Sequence, residues 1–171
     1  MRRYMLKRYQ KKLVSKLSRN KQLRPFHELN SIILFVDSHD VDQAAQLCKR
    51  LEEAGKKATV FLFGKTKTKQ SLPDFNYVCL PSLFSLNKRM DEYMMQLNSI
   101  QSDALFDFST QFKTVANLML AASVSPLKVS IDQGDNLHVD IRFGVIPTAT
   151  LQQKFETAVQ CVDMMSVSER G

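Results

Sequence analysis

With 171 residues, 44% apolar and 24% charged, the sequence suits one ordinary globular domain, long enough to bury a core without disulfide or metal staples. Its formal charge of +7 is unevenly placed: residues 1–24 hold ten Lys or Arg and no Asp or Glu, which leaves the remainder at −3. No apolar run approaches the ~18 residues of a membrane-spanning helix, and no apolar stretch of a secretory signal opens the chain.

The first element expected is a basic amphipathic helix within residues 1–24, its helical core over 2–18. Leu6, Tyr9, Leu13 and Leu17 recur at spacings of three and four, one stripe on a 3.6-residue period. Arg2, Arg3, Lys7, Arg8, Lys11, Lys12, Lys16, Arg19, Lys21 and Arg24 surround it. Such a block points to a polyanionic partner: RNA or the ribosome, or alternatively an anionic membrane surface. No motif for sequence-specific DNA reading accompanies it. An acid-free amphipathic start also fits a mitochondrial presequence, but the lysine bias and sparse serines favour a resident arm. Residues 25–30, with Pro25, read as a linker.

From Ser31 the character changes. "SIILFVD" is a buried strand, "DVDQAAQLCKRLEEAG" an amphipathic helix with Val41, Ala44, Cys48 and Leu51 on one face, and "KATVFLF" a second strand. Ser38 or Asp40 suits the start of that helix and Gly55 its end. Two apolar strands joined through a helix imply a parallel pair. After the polar loop "GKTKTKQSLPD", whose three lysines suit either a solvated loop or a phosphate grip, "NYVCL" is a third strand. A helix over about 86–100 follows, with Leu86, Met90, Tyr93, Met94 and Leu97 inward. "DALFDF" and "LKVSI" are strands four and five, with the helix "FKTVANLMLAAS" between them. The loop "DQGDN" is too short for a crossover, so "HVDIRF" is expected to pair antiparallel or to bend away. "TLQQ" carries the reciprocal Thr–Gln pattern that opens a last helix, with Leu151, Phe155, Ala158, Val162 and Met165 inward.

The whole is an α/β, Rossmann-like three-layer domain over residues 31–165, with a mainly parallel five- to six-stranded sheet and a disordered tail at 166–171. A strand order of 3-2-1-4-5 would set a ligand crevice between strands one and four. Their carboxyl ends carry "DSHD" and "DFSTQ", which gathers Asp37, Ser38, His39, Asp107, Ser109 and Thr110. Two readings fit this set. His39 serves as a general base beside a carboxylate or hydroxyl, with Ser38, Asp107 and Ser109 as its partners, or the same residues are helix caps and strand-end turns.

No glycine stands in the first strand–helix turn, and there is no G-x-x-x-x-G-K-[ST] loop, so a nucleotide-cofactor enzyme is not expected. Cys48, Cys79 and Cys161 are odd in number and widely spaced, with no CxxC pair or histidine cluster. Reduced thiols in a cytoplasmic compartment are expected, and no metal or cofactor.

The stretch "DALFDFSTQFKTVANLMLAASVSPLKVSI", preceded by "PDFNYVCLPSLFSLNKRMDEYM", resembles a short, functionally uncharacterised family of Bacteroidetes bacterial proteins. The segments "ILFVDSHD", "DALFD" and "ASVSPLKVS" carry the likeness, which spans most of the chain. More distantly, the strand–helix–strand region resembles the N-terminal half of heptosyltransferase-type glycosyltransferases. That likeness implies a Rossmann-like architecture and, as an alternative function, an enzyme acting on a sugar or phosphate substrate at the crevice. The residues themselves favour a non-enzymatic binding protein whose basic helix engages RNA.

Overall fold

The computed structural model describes residues 19–64, 75–80, 83–131 and 138–168. The expected helix over 2–18, Lys65, Lys67 and Lys69 of the "GKTKTK" loop, the "DQGDN" loop and residues 169–171 lie outside them.

Six strands form one sheet: β1 (Ser31–Asp37), β2 (Lys57–Phe63), β3 (Tyr77–Leu80), β4 (Ala104–Asp107), β5 (Leu127–Ile131) and β6 (Ile141–Phe143). Its order is β3-β2-β1-β4-β5-β6, and every neighbouring pair is parallel. Four helices flank it among the described residues: α1 (Val41–Glu53), α2 (Leu83–Ser99), α3 (Lys113–Ala122) and α4 (Leu151–Ser168). The fold is thus α/β and doubly wound, in the Rossmann-like manner.

β1 sits in the middle of the sheet with six of its seven residues buried, which is why "SIILFVD" is apolar on both faces. Ile32, Leu34 and Val36 join Val60, Leu62 and Phe106 beneath α1 and α4. Ile33 and Phe35 join Phe61, Phe63 and Leu105 beneath α2 and α3. α1 buries Ala44, Leu47, Cys48 and Leu51, a single stripe at helical spacing. It stops where Gly55 takes φ +74°, with the Gly55 and Lys56 amides donating back to the Glu52 and Leu51 carbonyls. Asp40, although placed at the start of α1, makes no capping bond. α4 opens as expected: the Thr150 amide donates to Gln153 Oε1 and the Gln153 amide to Thr150 Oγ1.

Three expectations need correction. β6 runs parallel to β5, pairing Val129 with Ile141 and Ile131 with Phe143. Only residues 132–140 intervene, yet β6 begins beside Val129, two residues back from the end of β5. Nine residues able to span about 30 Å therefore need retrace only about 7 Å. Ser166 to Ser168, expected in a disordered tail, belong to α4. Ser166 is buried and donates to the Asp163 carbonyl, and Met165, expected inward, is 44% exposed. Residues 25–30 are no linker: Phe26–Glu28 form a short 3-10 turn, Leu29 is buried, and the Phe26 ring lies 5.5 Å from that of Phe155.

Candidate functional site

β1 and β4 are neighbours, and the helices that follow them leave for opposite faces, so their carboxyl ends form the topological switch point. The fold does bring the expected polar set there, and its side chains bond to one another. Asp37, 1% exposed, accepts from the Thr110 amide (2.8 Å), the Thr110 hydroxyl (2.6 Å) and the Gln111 amide (3.3 Å). Asp107, fully buried, stands directly across the ladder from Ser130 and accepts its hydroxyl at 2.9 Å. Its other oxygen takes the Ser109 amide and hydroxyl. Burial pushes the Asp107 carboxyl up, while Lys113, 3.6 Å away, and the Ser109 and Ser130 bonds pull the other way. The two aspartates therefore pin the loop from Phe108 to Phe112 onto the sheet.

What remains of the crevice is narrow. Gly64, at the end of β2, has φ +112°, and a Cβ there would stand 2.8 Å from Ser38 Oγ and 2.9 Å from the Phe112 ring. His39 lies outside this enclosure, its side chain 52% exposed and paired with Asp40 at 3.4 Å. A separate recess of about 850 Å³ runs beside α1, lined by Cys48, Lys49, Glu52, Lys57 and Phe75. Burial, aided by Glu52, pushes the Cys48 thiol up to about 11 and keeps it protonated. Of the three cysteines, Cys48 is buried and Cys79 and Cys161 are half-buried. No metal-holding group of His, Cys, Asp or Glu occurs among the described residues, and none of their helices is long and apolar enough to cross a membrane.

The opposite, amino end of the sheet is where the basic segment arrives. Residues 19–30 run across the feet of β6, β5, β4 and β1 in turn. Arg19 makes a two-pronged pair with Asp140, at 2.7 and 2.5 Å, and Lys21 approaches the same carboxylate at 3.6 Å. The Gln22 amide donates to the Pro126 carbonyl. Arg24 donates to Asp103 at 2.7 Å, and the other Asp103 oxygen accepts the Asn30 and Ser31 amides. Burial works against the ionised form of Asp103, but these donors outweigh it and hold the carboxyl below its usual range. The Phe26 amide then meets Asp163 of α4, and Lys56 reaches the Phe26, His27 and Leu29 carbonyls.

Beneath Arg19 lies Lys128, 3% exposed, donating to the Leu120 carbonyl in the last turn of α3. A lysine at a helix carboxyl end meets the negative pole of the macrodipole and an unpaired carbonyl, which makes a buried cation tolerable. Burial and the charge of Arg19 nevertheless bring Lys128 down to about 8, with Asp140 opposing. His138 is lowered too, by its own burial and by Lys128 and Arg19.

Of the ten expected polyanion-binding cations, Arg19, Lys21 and Arg24 thus meet the domain's own carboxylates, and the other seven lie outside the described residues. Sequence reasoning missed Asp103, Asp140 and Lys128. The available signal was weak: a single aspartate just ahead of each of two short strands, and a lysine inside "LKVSI".

Fold and contacts together define a doubly wound α/β protein whose switch-point aspartates are engaged by neighbouring side chains and amides and whose amino end receives a basic strap. The chain belongs to a family of unknown function, DUF6913, whose model matches residues 2–157. The match carries no link to Bacteroidetes or to glycosyltransferases. No curated protein matches the chain.

Proposed function

We propose that the protein binds RNA without catalysing a reaction on it, through the basic segment that precedes the strap. One observation carries this reading: ten cations and no carboxylate in residues 1–24, attached to a body of charge −3. Once Asp140 and Asp103 are matched to the strap, seven cations remain from Arg2 to Lys16, with no acid in their own segment. Distributed around a helix, they would meet phosphates on several sides, and Tyr4 and Tyr9 offer stacking surfaces worth roughly 1–3 kcal/mol per base. The stripe of Leu6, Tyr9, Leu13 and Leu17 is narrow for a membrane-lying helix, and the chain has no Trp to seat at a headgroup interface.

The non-catalytic part of the reading draws on the switch point. A general base needs a partner to activate, yet Asp37 and Asp107 are already engaged by Thr110, Ser109 and Ser130, and the exposed His39 pairs with Asp40 instead. An enzyme acting on a sugar or phosphate substrate there would have to break those bonds first.

The test is titration of the full chain into a fluorescent single-stranded RNA across a salt series. Contact with about five phosphates gives a log–log slope near −3.5. An affinity that barely moves between low and moderate salt rejects the reading. So does sedimentation with anionic vesicles, after nuclease treatment, by a protein that ignores RNA.

A further inference from the structure

We propose that Arg19–Arg24 is an autoinhibitory strap: Asp140 and Asp103 hold its three cations, and a bound RNA competes for them and lifts the strap from the amino end of the sheet. This rests on the RNA-binding reading above.

The first support is chemical. A guanidinium fork fits a phosphate as well as it fits a carboxylate, so Arg19 on Asp140 and Arg24 on Asp103 occupy the geometry a phosphate would use. The side chains are also within reach of solvent, Lys21 being 56%, Arg24 32% and Arg19 20% exposed. Until they are released, the basic segment works without three of its ten cations.

The second support is that both aspartates keep partners when the strap leaves. Asp140 retains the Lys128 amide at 2.8 Å, and Asp103 retains the Asn30 and Ser31 amides at 2.7 and 3.0 Å. Each carboxylate keeps hydrogen-bond donors, and Asp140 keeps the neighbouring charge of Lys128, which limits the cost of breaking the pair. Departure of Arg19 also relieves Lys128 of a neighbouring positive charge.

The third support is a built-in stop. Between Arg19 and Pro25 the backbone is tied at Gln22, to the Pro126 carbonyl. From Phe26 onward the hold is apolar and dense: the Phe26 ring packs edge-on against Phe155 and Phe106, and Leu29 is 1% exposed. Leu23, half-buried against the same core, leaves with the strap, and the buried Pro25 marks where lifting stops.

The experiment compares wild-type protein with Asp140→Asn, Asp103→Asn and the double variant in the RNA titration. Glu156→Gln, on the exposed side of α4, is the charge-matched control for each single variant. Glu156→Gln combined with Glu53→Gln, exposed on α1, is the control for the double variant. Coupling of this kind is at least about fivefold, so the double variant should bind at least that much tighter than the control. The wild-type complex, having recruited the strap, should show a slope steeper by about 2 than that of a variant carrying Arg19→Gln, Lys21→Gln and Arg24→Gln. Amide exchange in the wild type needs no variant to fold: RNA should speed exchange at Gln22 and leave Phe26 protected. Wild-type binding with no gain in the double variant, or with slower exchange at Gln22, overturns the strap and leaves RNA binding standing. No RNA binding by wild type or variant overturns both.

Discussion

Thr110 donates to Asp37 twice, through its amide and its hydroxyl, across 73 residues of sequence. The bond joins the end of β1 to the loop after β4, so two members of the polar set expected at the crevice act as a structural tie. Asp37→Asn replaces one accepting oxygen with a donor facing donors. It should cost about 2 kcal/mol, since a buried polar group is left badly matched. Urea denaturation should show the loss, with a melting temperature lower by about 6 °C for a chain of this size. Undiminished stability would return Asp37 to the list of groups free for chemistry.

Gly64 gives a sharper test of how closed the switch point is. Gly64→Ala places a methyl group at φ +112°, between Ser38 Oγ and the Phe112 ring. Strained backbone and steric crowding together should destabilise the fold by about 2 kcal/mol or more. Gly55→Ala is the comparison, because it shares a positive φ but has nothing within 4 Å of the added carbon. It should cost only about 1 kcal/mol. Equal losses in the two variants would mean that the space beside Gly64 yields easily.

Lys128 sets a window of alkaline pH. Its folded value of about 8 lies below the ordinary 10.5, so between those limits the unfolded chain holds a proton that the native protein has released. Stability from this group is full above about 10.5 and is lost as pH falls to about 8. Lys128→Met removes the slope. The stability of wild type relative to this variant should therefore grow between pH 8 and 10.5, by on the order of 2 kcal/mol. Paired denaturation curves at the two ends of that range check it, and a constant difference would contradict the burial of the ammonium group.

The thiols should separate into classes. With Cys48 raised to about 11, only about one molecule in a thousand carries its thiolate at pH 8. Timed alkylation of the native protein should leave Cys48 unlabelled long after the half-buried Cys79 and Cys161 have begun to react. Rapid labelling at Cys48 would show that the recess beside α1 opens readily.

The strands and most helices were legible because each announces itself locally. "SIILFVD" and "KATVFLF" are too apolar for anything but a doubly covered strand, and Gly55 and the Thr150–Gln153 pair mark helix ends within four residues. The parallel direction of β6 was not legible, because the usual length of a crossover misled where nine residues are enough to reach back along β5. At the switch point, the sequence brought the right residues together, but whether Asp107 faces a substrate or Ser130 depends on register across two strands. The strap was the least visible feature. Asp140 lies 121 residues from Arg19 and Asp103 lies 79 from Arg24, and no spacing rule links a cation to an aspartate at that range. Counting charge by segment treated the basic run as one free unit, when its last three cations belong to the body.

That long-range stitching also sets an order of events during synthesis. The partners of Arg19 and Phe26 are Asp140 and Asp163, more than a hundred residues further along. A growing chain emerging from the ribosome therefore carries its cationic stretch unfastened until nearly the entire sheet has been made. Closure of so large a loop must await the contacts that reward it, which makes fastening a late step of maturation. During that interval Arg19 and Lys21 lack the carboxylate that pairs with them in the finished domain.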